Sequence, residues 1–123
     1  MFIALSPSHP DPMYQQVIDQ IKDAIAAGDV KPNDRLPSVR ELSEALNVSA
    51  ITIKRAYQDL ETEGYILTRA GLGSFVAEVE RGALRDRKLN ELRSEMTRIV
   101  RTAAKFGITA EDIARLTRQV EER

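Results

Sequence analysis

Apolar residues recur along the chain in several distinct patterns, and each predicts its own elements. From Tyr14 onward, Val17, Ile18, Ile21 and Ile25 follow at three- and four-residue steps. That spacing lays one apolar stripe along a helix. Asp11 suits the N-cap and Pro12 the first helical position, and Gly28 ends the run. Before it, "MFIAL" reads as a strand-like piece, followed by three prolines in the six residues of "PSHPDP".

A second pattern starts after the loop "DVKPNDRLP", where Asn33 tolerates the left-handed backbone of a tight turn. Ser38 and Glu41 have the S-x-x-E spacing of a capping box. Val39, Leu42, Ala45 and Leu46 form the predicted buried face of a helix about two turns long. Asn47-Val48 breaks it, and Ser49 can cap a third helix with Ile53, Ala56, Tyr57 and Leu60 on its inner face and Gly64 at its end. Residues 65–69 and 74–79 are rich in β-formers, and the "AGLG" between them is a turn, which predicts a hairpin.

Glu80-Arg81-Gly82 marks a boundary. Beyond it Leu89, Leu92, Met96, Ile99, Ala103 and Phe106 step by 3, 4, 3, 4 and 3, a heptad seam. Gly107 interrupts it, and Thr109 with Asp112 opens a last helix bearing Ile113, Leu116 and Val120. The predicted fold is therefore mainly α with a small β-hairpin: a winged helix-turn-helix over residues 1–80, then a two-helix dimerisation tail over 81–123.

A helix pair with a tight turn and a following hairpin suits DNA. The first helix crosses the backbone, the second presents its N-terminal residues to base edges in the major groove, and the wing reaches a neighbouring groove or phosphate. The outward side of the third helix carries Ile51, Lys54, Arg55, Gln58 and Thr62, with no acid before Asp59. Lys54 and Arg55 suit phosphates or guanine edges, Gln58 suits adenine, and Ile51 suits thymine methyl groups. An exposed isoleucine is also common on ordinary surfaces.

Charge complicates this picture. The whole chain of 123 residues is net −1, but residues 1–80 hold 7 Lys+Arg against 12 Asp+Glu, and residues 81–123 hold 11 against 7. A DNA-binding unit at −5 must act through local field rather than its total. Arg35, Arg40, Lys54, Arg55 and Arg69 gather in the motif, whereas Asp11, Asp19, Asp23 and Asp29 lie on or beside the first helix.

The stretches "RLPSVREL", "TIKRAYQDLETEG" and "GLGSFV" together resemble the DNA-binding domain of the GntR family of bacterial transcription regulators, over about residues 14–76. The short helical tail, with "FGITAEDIARL" after the heptads, resembles the YtrA-type subfamily. The resemblance implies DNA contacts by Arg40 after "LPS", by Ser49 at the cap of the recognition helix, by Thr52 and Lys54, by Gly71 at the wing tip and by Arg35. With the residues read from the pattern, the expected DNA-binding set is Arg35, Ser38, Arg40, Ser49, Ala50, Ile51, Thr52, Lys54, Arg55, Gln58, Arg69 and Gly71. Ala50 and Ile51 stand where many members carry Arg or Asn, and Asn33 where Gly is usual. The resemblance also implies a repressor acting on its own gene cluster, with transporter operons as targets.

The 43 residues after Glu80 are too few to enclose a ligand pocket of about 300–1,000 Å³. They suit a homodimer held by Leu89, Leu92, Met96, Ile99, Ala103, Phe106, Ile113 and Leu116, as a two-fold operator requires. The competing expectation is a tail folded back on its own winged helix. No cysteine is present, and His9 stands alone among prolines, so no metal or cofactor is expected. "GLGS" is too short for a phosphate loop, and no nucleophile–base pair argues for an enzyme. The N-terminus lacks a basic region for a signal peptide and no apolar run is of membrane-spanning length, so the expected location is the cytoplasm. The functional alternative is a winged helix that binds a partner protein, which the acidic total of residues 1–80 favours. No effector is implied by the residues.

Overall fold

The computed structural model describes residues 1–78 and 81–122. The chain divides into two compact units, Met1–Arg81 and Gly82–Arg123.

In the first unit, helix α1 (Met13–Ala27), α2 (Val39–Leu46) and α3 (Ala50–Thr62) precede a hairpin of β1 (Ile66–Arg69) and β2 (Gly73–Val76). This is a winged helix-turn-helix. Val17, Ile21, Ile53 and Leu60 are wholly buried, and Leu36, Leu42, Tyr57, Ile66 and Val76 close the same core. Each such large side chain contributes about 1.5–3 kcal/mol by leaving water. The hairpin is antiparallel, with Ile66 opposite Val76 and Arg69 opposite Gly73.

Several features differ from the sequence expectations. Asp11 does not cap α1; Pro12 is the N-cap, without a side-chain bond. The backbone N–H of Asp11 donates to His9 Nδ1 (3.0 Å), and its carbonyl accepts from Gln16 Nε2 (3.0 Å). "MFIAL" forms no strand. It is held instead by two glutamines one turn apart on α1. Gln20 bonds both the N–H and the carbonyl of Ala4 (2.9 and 2.8 Å), and Gln16 does the same for Ser6 (2.9 and 3.0 Å). These side-chain amides replace a strand ladder and seat Ile3 in the core. Ala45 is exposed, because the buried contact of α2 is carried by Leu42, with Val39 and Leu46 half-buried.

The wing has a third edge. Leu36 N–H donates to the Ser74 carbonyl, Val76 N–H to that of Asp34, and Asn33 N–H to that of Val76 (2.9, 2.9 and 2.8 Å). Arg35 thereby bridges Phe75. Asn33 takes φ 72°, the left-handed turn expected there. Strand β2 begins at Gly73 and ends at Val76, earlier than the expected 74–79, and Val79 lies outside the described residues.

The second unit contains α4 (Arg81–Ala104) and α5 (Ala110–Glu121). Thr109 and Asp112 form a full capping box at the start of α5. Helix α4 ends before Phe106, so the last seam residue lies in the turn that Gly107 completes at φ 72°. Glu80, in the expected boundary, lies outside the described residues.

Candidate nucleic-acid interface

The α2–α3 turn is built from two caps. Asn47 ends α2 in the left-handed region (φ 54°, ψ 48°). Two residues on, Ser49 Oγ accepts from Thr52 N–H (3.2 Å) and lies 2.8 Å from Thr52 Oγ1. The two hydroxyls thus share one hydrogen bond and fix the first turn of α3. Ser38 caps α2 by accepting from Glu41 N–H (3.0 Å). The Glu41 carboxylate turns away from a reciprocal bond and lies 3.6 Å from Arg35. Tyr57 links the helices by donating to the Pro37 carbonyl (2.7 Å). Burial raises its hydroxyl pKa well above the ordinary value, and the nearby Glu41 charge adds to this.

The outward side of α3 matches its helical phase. Ala50, Ile51, Lys54, Arg55 and Gln58 are exposed, and Ile51 is 79% accessible. Among the described residues, the side chains of Lys54 and Gln58 make no hydrogen bond or ion pair. Arg40 lies along α2 with 88% of its side chain accessible, paired to Glu44 at 3.2 Å. Such an exposed pair is worth under about 1 kcal/mol, so it yields readily to a phosphate. Arg55 is placed differently: its guanidinium carbon lies 3.7 Å from the centre of the Tyr14 ring on α1.

The wing cations are also engaged. Arg69 donates to Asn33 Oδ1 (3.2 Å) and lies over the Phe75 ring at 4.5 Å. Arg35 donates through Nε to the Leu72 carbonyl (3.4 Å). Gly71 turns the tip at φ 75°. Gly73 follows at φ 114°, and a Cβ there would meet Arg35 Nε at 3.3 Å, so the arginine packs close on a position suited to glycine. Leu72 projects from the tip, 64% accessible.

Arg40 on α2 and Ile51, Lys54 and Gln58 on α3 are each exposed. The pattern gathers Arg35, Arg55 and Arg69 in the motif, and each has a partner distant in sequence that periodicity does not indicate. It does not single out Tyr14, Asn33 and Leu72 as parts of this surface. The wing-tip position of Leu72 in "GLGSFV" is the available signal for the last of these.

In the second unit most apolar side chains remain accessible. Leu89, Leu92, Met96 and Ile99 are each 40–45% accessible, Leu116 57% and Phe106 79%, while Ile113 is buried. An open groove of about 340 Å³ beside them is lined by Ile99, Ala103, Phe106 and Ile108. Among the described residues there is no group of acidic or histidine side chains able to hold a metal ion. No helix among them is long and apolar enough to cross a membrane.

Residues 13–76 match the profile of bacterial regulatory proteins of the gntR family. The chain is 32% identical to the HTH-type transcriptional repressor YtrA of Bacillus subtilis over 111 residues, 90% of this chain and 85% of that protein. A GntR family transcriptional regulator from Listeria monocytogenes superposes with a TM-score of 0.73 at 29% identity, covering 94% of this chain and 98% of the other. The DNA-binding domain of AraR in complex with operator ORE1 superposes with a TM-score of 0.54 at 32% identity, covering 63% of this chain and 94% of that domain. The chain belongs to the gntR family of bacterial regulatory proteins.

Proposed function

We propose that the chain is a homodimeric repressor that binds a two-fold DNA operator in its own gene cluster. Residues 1–80 form the reader and residues 81–123 the dimerisation tail. The observation that carries the reading is the outward side of α3, where Ile51, Lys54 and Gln58 are accessible and Lys54 has no ion pair among the described residues. In this role α3 enters the major groove, with Ser49, Ala50 and Thr52 at its leading turn. Lys54 and Arg40 contact phosphate or guanine, Gln58 reads adenine, and Ile51 packs on thymine methyl groups. Ser38 at the α2 N-terminus and the wing residues Arg35, Arg69 and Gly71 hold the flanking backbone. The YtrA repressor and the operator-bound AraR domain support this reading by likeness.

The tail gives the second half of the reading. A seam of half-exposed Leu89, Leu92, Met96 and Ile99 beside an apolar groove is a surface that a second copy would cover. Ala103, Phe106 and Leu116 extend it, and Ile113 is buried in the same unit. Two readers on one dimer suit a palindromic site. The protein works by binding rather than catalysis, in the cytoplasm, without a bound cofactor.

The test is footprinting on the DNA upstream of its own gene. Protection of two half-sites about one helical turn apart is expected. Protection of no site, or of a single half-site only, would contradict the proposal.

A further inference from the structure

We propose that Tyr14 is a positioning residue for DNA binding: its ring holds Arg55 where the guanidinium edge meets a backbone phosphate beside the groove read by α3. This rests on the DNA-binding reading above and extends it to a residue on α1.

Successive residues of a helix turn by about 100°. With Ile51 set at the middle of the outward side, Lys54 and Gln58 fall to one flank and Arg55 to the other, toward α1. A helix in the major groove meets bases along its centre line and phosphates along its flanks. Arg55 is thus on a phosphate flank, opposite Lys54. Its placement is fixed by a neutral group. The guanidinium lies 3.7 Å from the Tyr14 ring centre, and it has no ion pair or hydrogen bond among the described residues. The other motif arginines differ: Arg35 and Arg40 face Glu41 and Glu44, and Arg69, although it also lies over a ring, Phe75, uses a guanidinium donor on Asn33. A stack against a ring occupies the face of the guanidinium and leaves its in-plane N–H donors free. These donors match two phosphate oxygens. Tyr14 is half-buried at the start of α1 and α1 packs on α3, so the ring is a fixed platform. A free arginine would lose rotamer freedom on binding, and this one has already lost part of it.

The Arg55–phosphate bond reads no sequence. It should therefore contribute equally to operator and unrelated DNA, and it should appear in the salt dependence. The experiment measures affinity for the upstream DNA of its own gene and for a scrambled duplex, from 50 to 200 mM salt. It compares wild type with Tyr14→Leu, Tyr14→Phe, Arg55→Ala and the Tyr14→Leu/Arg55→Ala double variant, and thermal melting sets aside variants that do not fold. Arg55→Ala is expected to lower the salt slope by about 0.9 for each phosphate that the arginine neutralises in wild type. Tyr14→Leu is expected to weaken both duplexes roughly two- to fivefold per protomer. Tyr14→Phe, which keeps the ring, is expected to bind like wild type, and the double variant to bind no worse than Arg55→Ala.

Unchanged affinity in Tyr14→Leu would overturn the proposal while leaving the DNA-binding reading in place. So would additive losses in the double variant, or a Tyr14→Phe as weak as Tyr14→Leu, which would point to the hydroxyl instead of the ring. If Tyr14→Leu fails to fold, Tyr14→Phe and Arg55→Ala decide alone, and a salt slope unaltered in Arg55→Ala overturns it. A wild-type chain that binds neither duplex would overturn the parent reading and this one together.

Discussion

The hydroxyl of Tyr57 on α3 donates to the carbonyl of Pro37, the residue before the α2 cap, at 2.7 Å. One part-buried hydrogen bond thus ties the middle of α3 to the entry of α2. Tyr57→Phe leaves that carbonyl without its donor, and the expected loss is about 1 kcal/mol of stability. Denaturant unfolding of the variant checks it. An unchanged midpoint would show that water replaces the bond without cost.

Arg40 and Lys54 are expected to matter for affinity and not for folding, because both side chains project into solvent. Arg40→Ala and Lys54→Ala should each weaken operator binding, with circular dichroism and melting close to wild type. A hydrogen bond to a charged group contributes about 1.5–3 kcal/mol net of the exchange with water. Unfolding of either variant would assign these residues to the fold.

The three helices of the first unit are legible in the sequence because their core residues repeat at helical spacing, and the caps Ser38, Ser49 and Thr109 declare helix starts in both units. Pairing across long separations is not legible in the same way. Gln16 and Gln20 are ordinary polar residues by pattern, yet they bond backbone 10 and 16 positions earlier. Arg35 reaches the wing tip 37 residues away, and Arg69 reaches back 36 residues to Asn33. Local periodicity cannot encode such pairs. The tail seam is readable as a stripe, but the end of α4 is not, and Phe106 falls in the turn beyond it.

The tail carries a pH-dependent cap. Thr109 donates its N–H (2.9 Å) and its hydroxyl (3.0 Å) to the Asp112 carboxylate, whose pKa is lowered first by that backbone bond, then by the side-chain bond. Ionised Asp112 is the form the fold favours. Its contribution is therefore present above the ordinary carboxylate pKa of the unfolded chain and lost as pH falls through the depressed folded value. NMR titration should find Asp112 below ordinary aspartates in wild type and returned toward them in Thr109→Ala. Equal values in both would contradict the hydroxyl's share of the cap, since Thr109→Ala keeps the backbone N–H.

Assembly is tested at Ile99, half-exposed in the single chain and central to the seam. Ile99→Asp would bury an unpaired carboxylate in a dimer interface, at a cost of several kcal/mol. Sedimentation should show a monomer with a folded winged helix and reduced operator affinity. A dimer with full DNA binding would place the interface elsewhere. Unfolding of the whole chain would make the seam part of the single chain's own fold.

The most direct test of the central claim is the affinity of the wild-type protein for its own upstream DNA as salt rises from 50 to 200 mM. Arg35, Arg40, Lys54, Arg55 and Arg69 on each of two protomers suit about 6–10 phosphate contacts, for which affinity should fall by about 10³–10⁵. A scrambled duplex should bind at least about 10³-fold more weakly at physiological salt. A flat salt response, or equal binding to both duplexes, would contradict the account of α3 as a sequence-reading helix.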